Sequence, residues 1–225
     1  MSNLTSTNTA ATLTLTTPFH LPAGSVVAVD VPRDAFLEAY ASSYHEWIEG
    51  VVIHMSPASS THQRLTTYLL LLLNAYLVLD PRGRVISQPF VMRLVRSFRE
   101  PDLQVILNDN PHQFTETAML GPADICVEVV SEESQTRDYG DKFAEYEAAG
   151  VREYWIIDPL RHEARFCRLQ DTGRYATILP ADGLYRTPLL PRLALPVASL
   201  WQDPLPDFYT IGDSVKAMFS DATDD

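Results

Sequence analysis

No stretch constrains the fold of this chain more than GPADICVEVVSEESQTRDYGDKFAEYEAAGVREYWIIDP, from Gly121 to Pro159. It reads as a strand, a polar loop, an amphipathic helix and a second strand, with charges where a plain packing unit needs none. Alternation in the first strand sends Ile125, Val127 and Val129 to one face and Asp124, Cys126, Glu128 and Val130 to the other. Asp124 and Glu128 therefore share a face. Four residues at roughly 3.3 Å each still hold their backbones about 13 Å apart, too far for both to grip one small cation. Glu128 needs a carboxylate from a neighbouring strand.

The polar connection Ser131 to Arg137 leads to Asp138, which can start or cap the helix. Tyr139, Phe143 and Tyr146 make a packing stripe at helical spacing, and Gly150 is the stop. Read locally, Lys142 forms a surface i,i+4 pair with Asp138, worth a few tenths of a kcal/mol. The second strand, Val151 to Asp158, is too continuously apolar for a half-wet edge and predicts a central position.

The missing carboxylate stands in the strand from Pro101 to Leu107. Asp102 is near its first residue, where a preceding proline is tolerated because the ladder has hardly begun. If this strand lies beside Ile125 to Val130, Asp102 and Glu128 meet over one face, with room for a phosphate and a cation.

Elsewhere the pattern predicts a short helix after Pro32, a hairpin from Tyr44 to Met55 turning at Glu49-Gly50, and a long helix capped by Ser59 or Ser60 and running to Leu79. His62 falls in the exposed first turn of that helix. Val85 to Val95 reads as a strand broken by Pro89, Ser97 to Glu100 as a polar connection, and Asn108 to Leu120 as a loop. Ala164 to Gln170 and Arg174 to Leu179 predict an antiparallel pair, Gly183 to Leu200 extended chain, and Pro204 to Phe219 a closing helix. Residues 1–17 read as a disordered Thr-rich segment and residues 220–225 as an acidic tail.

The 225 residues carry 29 acidic and 17 basic side chains, a net charge of -12. Such a surface does not adhere indiscriminately to nucleic acid or to anionic membranes, although a local basic patch remains available. The longest apolar run, Tyr68 to Leu79, is too short to cross a bilayer, and the N-terminus lacks a secretory pattern. Two cysteines, Cys126 and Cys167, fit buried thiols in the cytoplasm. There is no phosphate-cradling glycine loop, zinc spacing or nucleophile elbow.

Pro101-Asp102, Glu128-Val129-Val130 and Lys142 together resemble the PD-(D/E)XK nuclease superfamily, with the lysine moved from the strand into the following helix. The longer pattern adds Glu49-Gly50, His62, Asp124, Ser131, Asp138, Tyr146, Gly150 and Glu153 to Pro159. It resembles the Uma-type restriction endonuclease family over roughly residues 30–200. Glu132 and Ala123 depart from it, standing where relatives often carry proline.

The resemblance implies an α/β (α+β) fold with a restriction endonuclease-like core, a mixed central β-sheet flanked by helices, in one domain over residues 18–219. It implies a homodimer, a carboxylate-bound divalent ion and hydrolysis of DNA phosphodiester bonds. Asp102, Glu128 and the Val129 carbonyl would hold Mg²⁺ or Mn²⁺, and Lys142 would orient water or stabilise the transition state. His62 and Glu49 would position water or a second ion, with Asp124 and Asp138 supporting from behind. Arg93, Arg96, Arg99 and Arg137 are candidates for a DNA-facing patch. A catalytically silent binding or structural module on the same fold, or another hydrolase, stays open at this point.

Overall fold

The computed structural model describes residues 26–41 and 43–220. The segment expected to be disordered, 1–17, and tail residues 221–225 lie outside them.

In chain order the elements are β1 (Val26–Ala28), α1 (Arg33–Ala39), β2 (His45–Ile48), β3 (Val51–His54), α2 (Ser60–Leu79), β4 (Gly83–Ser87), β5 (Val91–Arg93), β6 (Ser97–Arg99) and β7 (Leu103–Leu107). Then come β8 (Gln113–Phe114), β9 (Ala118–Leu120), β10 (Ile125–Val129), a π-helical turn (Arg137–Asp141) and α3 (Lys142–Ala149). The chain ends with β11 (Glu153–Asp158), β12 (Glu163–Leu169), β13 (Tyr175–Ile178), β14 (Leu184–Thr187), β15 (Leu190–Pro196), a 3₁₀ turn (Val197–Trp201) and α4 (Phe208–Ser220).

A six-stranded mixed sheet in the order β13-β12-β11-β10-β7-β4 forms the centre. β10 and β11 run parallel because α3 carries the chain back between them, and the other neighbours are antiparallel. One face carries Val105, Val127, Trp155 and Phe166 against Leu65, Leu69, Leu72, Leu73 and Tyr76 of α2, with α4 and the β14-β15 hairpin closing that side. Each fully buried leucine on this stripe contributes about 1.5–3 kcal/mol. The other face carries Cys126, Tyr154 and Ile156 against Tyr146 of α3 and Met92 and Met119 of a second sheet.

That second sheet has seven short strands in the order β1-β3-β2-β6-β5-β9-β8. It is where the structure departs most from the expected elements. Ser97–Arg99 is a buried strand paired with β2 and β5, not a polar connection. Residues 108–120 contribute β8 and β9, not only a loop. Both were concealed by polar composition, since the side chains of Ser97 and Arg99 are buried against other charges. At Pro89, where the Gln88-Pro89 peptide is cis, the chain passes from one sheet to the other.

Candidate active site

Four carboxylates, those of Glu46, Asp102, Glu128 and Asp138, and a lysine meet where the two sheets face each other across the start of α3. β7 pairs antiparallel with β10 through Val127↔Leu103, so the next step brings Asp102 to the level of Glu128. The contact is direct: the Val129 amide donates to Asp102 Oδ2 at 2.7 Å. The same oxygen lies 3.0 Å from His62 Nε2, and Gln88 Nε2 donates to Oδ1 at 2.7 Å.

His62 is buried, against the expectation of an exposed first turn. Ser59 caps α2 by accepting the His62 amide, and this fixes the first turn so that the ring faces Asp102. Burial opposes its charge, but the hydrogen bond to Asp102 and the fields of Asp102 and Asp138 outweigh it and raise the imidazole above its ordinary value.

Lys142 is 1% exposed, so its pair with Asp138 is no surface decoration. Its ammonium lies 2.9 Å from Glu128 Oε1, 3.3 Å from Asp138 Oδ1 and 3.7 Å from Glu46 Oε1. Burial disfavours its charge, yet these three carboxylates raise its pKa well beyond that of a free lysine. Asp138 sits in the π-helical turn, a local rewinding often found at functional positions. Neither of its carboxylate oxygens accepts a hydrogen bond. Burial lifts its pKa, with Lys142 opposing.

Glu128 receives a second bond from the Tyr146 hydroxyl, at 2.9 Å. Burial pushes its carboxyl up to about 8 against the pull of Lys142, with Asp102, Asp138 and Glu46 adding to the rise. Excess buried negative charge is the electrostatic character of the cluster.

Glu46 escaped the sequence reading, which chose Glu49 three residues later. Glu49 lies at the hairpin turn, paired with Arg96 and away from the cluster. Glu46, on β2, is fully buried beside Lys142 and Arg99. Burial would raise its pKa, but Lys142, Arg99 and Arg137 prevail and hold it at about 2. The only signal in the sequence was an acid at an inward position of an alternating strand. Glu100 was missed as well: it is 2% exposed, and neither carboxylate oxygen has a hydrogen-bond partner.

The remaining expected site residues are scattered. Asp124 stands at the far end of β10, accepting from the Leu107 amide, Asn110 and Arg152, out of contact with the cluster. The four arginines form no common surface. Arg99 is fully buried between Glu46 and Glu145, Arg137 is 6% exposed, Arg96 is spent on Glu49, and Arg93 leans on the Phe98 ring. Among the described residues no three His, Cys, Asp or Glu side chains are arranged to hold a metal ion.

With this geometry in view, comparison with known proteins is decisive for ancestry. A family model, Uma2, described as "Putative restriction endonuclease", matches residues 34–198. The chain belongs to the Uma2 family. A crystal structure from Anabaena variabilis ATCC 29413, described as "a putative nuclease belonging to DUF820", superposes with a TM-score of 0.64 at 18% identity, over 75% of this chain and 96% of that one. At that identity the likeness establishes a nuclease-like fold. No curated protein matches the sequence. The Uma2 match begins inside α1 and ends in the 3₁₀ turn before α4, so it contains the whole charged cluster.

Proposed function

We propose that this Uma2 chain is a divalent-metal-dependent nuclease that hydrolyses phosphodiester bonds of DNA. The observation supporting it is the meeting of Asp102, just before β7, with Glu128 on the adjacent β10, with Lys142 at 2.9 Å from Glu128 and His62 at 3.0 Å from Asp102. Hard oxygen donors suit Mg²⁺ or Mn²⁺, and the burial that raises the pKa of Glu128, with the neighbouring carboxylates adding to it, is a penalty on its charge that such an ion would relieve. Asp102, Glu128 and the Val129 carbonyl are the groups that would hold it. The ion, when bound, polarises a phosphate oxygen and acidifies a water.

The protein's own groups divide the remaining work. His62 and Gln88 grip Asp102 from two sides and fix the orientation of its carboxylate. The Tyr146 hydroxyl does the same for Glu128. Lys142 orients the attacking water or stabilises charge developing on the phosphate. Glu46 and Asp138 keep that ammonium charged and in place. On this reading the working form is a cytoplasmic homodimer, which sedimentation over a range of concentrations tests.

A second reading, a catalytically silent module, draws on a specific observation. Lys142 and Asp138 are each 1% exposed, as an ion-paired structural core also requires. One experiment separates the two: cleavage of supercoiled plasmid, linear duplex and single-stranded DNA with Mg²⁺ or Mn²⁺, beside calorimetric metal titration, for wild type, Asp102→Ala and Lys142→Ala. The nuclease reading expects metal-dependent cleavage lost in both variants and metal binding lost in Asp102→Ala. No cleavage and no metal binding by wild type would leave the silent module.

A further inference from the structure

Between α1, the β5-β6 hairpin and the end of α3 lies a cavity of about 570 Å³. Two guanidinium groups border it. Arg33 lies 5.5 Å and Arg93 5.8 Å from the centre of the same Phe98 ring, and Arg33 also donates to the Val95 carbonyl. Neither arginine has a carboxylate within ion-pair distance among the described residues, although acidic side chains outnumber basic ones 29 to 17. The Nε of Arg93 is buried and bonded to nothing. Asp34 is the one carboxylate on the cavity wall, which His112 also lines. Two guanidiniums on one cavity wall, neither of them ion-paired, suit an anion with several acceptor oxygens.

We infer that this cavity holds a backbone phosphate of the nucleic-acid strand, away from the bond to be cut. The inference rests on the nuclease reading and extends it to the position of the substrate. Ala149 borders the cavity and Lys142 begins the same helix, seven residues earlier. At 1.5 Å per residue the two lie about 10 Å apart along the axis. With a rise of 3.4 Å per nucleotide in each strand, that is about three nucleotides from the reacting phosphate. Val95, 84% exposed at the tip of the hairpin, offers an apolar lip to the sugars on the way.

The test is fluorescence-anisotropy titration of labelled duplex and single-stranded DNA without divalent metal, from 50 to about 200 mM salt. Wild type is compared with Arg33→Gln/Arg93→Gln, and with Arg186→Gln/Arg192→Gln, which removes the same charge at exposed arginines elsewhere. The cavity variant should bind about tenfold or more weakly at the lowest salt, with a salt slope shallower by about 1–2, while the control variant stays near wild type. Val95→Glu places a carboxylate on the exposed lip and should weaken binding in the same direction, so a failure of the double variant to fold leaves the test intact. Unchanged binding in Val95→Glu, or equal losses in both double variants, would overturn the inference and leave the nuclease reading standing. Absence of DNA binding by wild type would overturn both. Calorimetric binding of inorganic phosphate that vanishes in the cavity variant, with DNA affinity unchanged, would make this a free-anion site and refute the assignment to a strand.

Discussion

Glu100 offers the sharpest quantitative test of the electrostatics around the cluster. Its carboxyl is 2% exposed, accepts no hydrogen bond and lies near Glu46, whose backbone contact is the Glu100 amide at 3.4 Å. Burial first, and the Glu46 charge second, raise it from 4.5 to about 8. Between these values the folded protein holds a proton that the unfolded chain releases, so stability falls as pH rises through that window. At about 1.4 kcal/mol per pH unit, the accumulated loss by pH 9 is about 3–5 kcal/mol. Glu100→Gln mimics the protonated side chain in size and polarity and cannot ionise. We expect wild type and variant to be nearly equal at pH 4 and the variant to be more stable by about 3–5 kcal/mol at pH 9. Urea unfolding followed by circular dichroism in metal-free buffer, from pH 4 to 9, measures the difference directly. A variant less stable at pH 9, or a difference independent of pH, would refute the reasoning.

Two further outcomes follow from groups described by the structure. Glu153 accepts from Trp155 Nε1, Arg168 Nε, the Tyr185 hydroxyl and the Thr187 hydroxyl at 2.7–2.9 Å, so Glu153→Ala should lose about 3–5 kcal/mol in urea unfolding by stranding these buried donors; a loss below about 1 kcal/mol would contradict the assignment. His62 should titrate above 6.5 in a proton NMR series and fall in Asp102→Asn, and its share of stability should be present at low pH and lost as pH rises through the folded midpoint.

How much of this was legible in the sequence depended on whether a residue's partner was local. The β10-α3-β11 unit could be read from alternation, helical spacing and Gly150, which ends α3 at φ +89°. The approach of Asp102 to Glu128 followed once the strand from Pro101 was placed beside β10. His62 was underestimated because its environment is created by β7, forty residues away in sequence. Glu46 and Glu49 could not be ranked without knowing which end of the hairpin faces α3. Ser97 and Arg99 looked like loop material because their polar groups are satisfied by Glu46 and Glu145, partners that no local pattern reveals. Arg99 and Arg137 of the expected patch are buried for a related reason: composition records charge, whereas burial against acids decides whether a charge faces solvent.

The order in which the cluster is supplied along the chain has a consequence for its birth. Glu46, His62, Asp102, Glu128 and Asp138 all precede Lys142, and β11, which lies beside β10, comes later still. A chain emerging from the ribosome therefore displays every acid of the site before the ammonium that gathers them. β11, the strand that completes the pairing of β10 on its other side, is made after all of them. The ion-paired cluster is therefore complete only once Lys142 has been added.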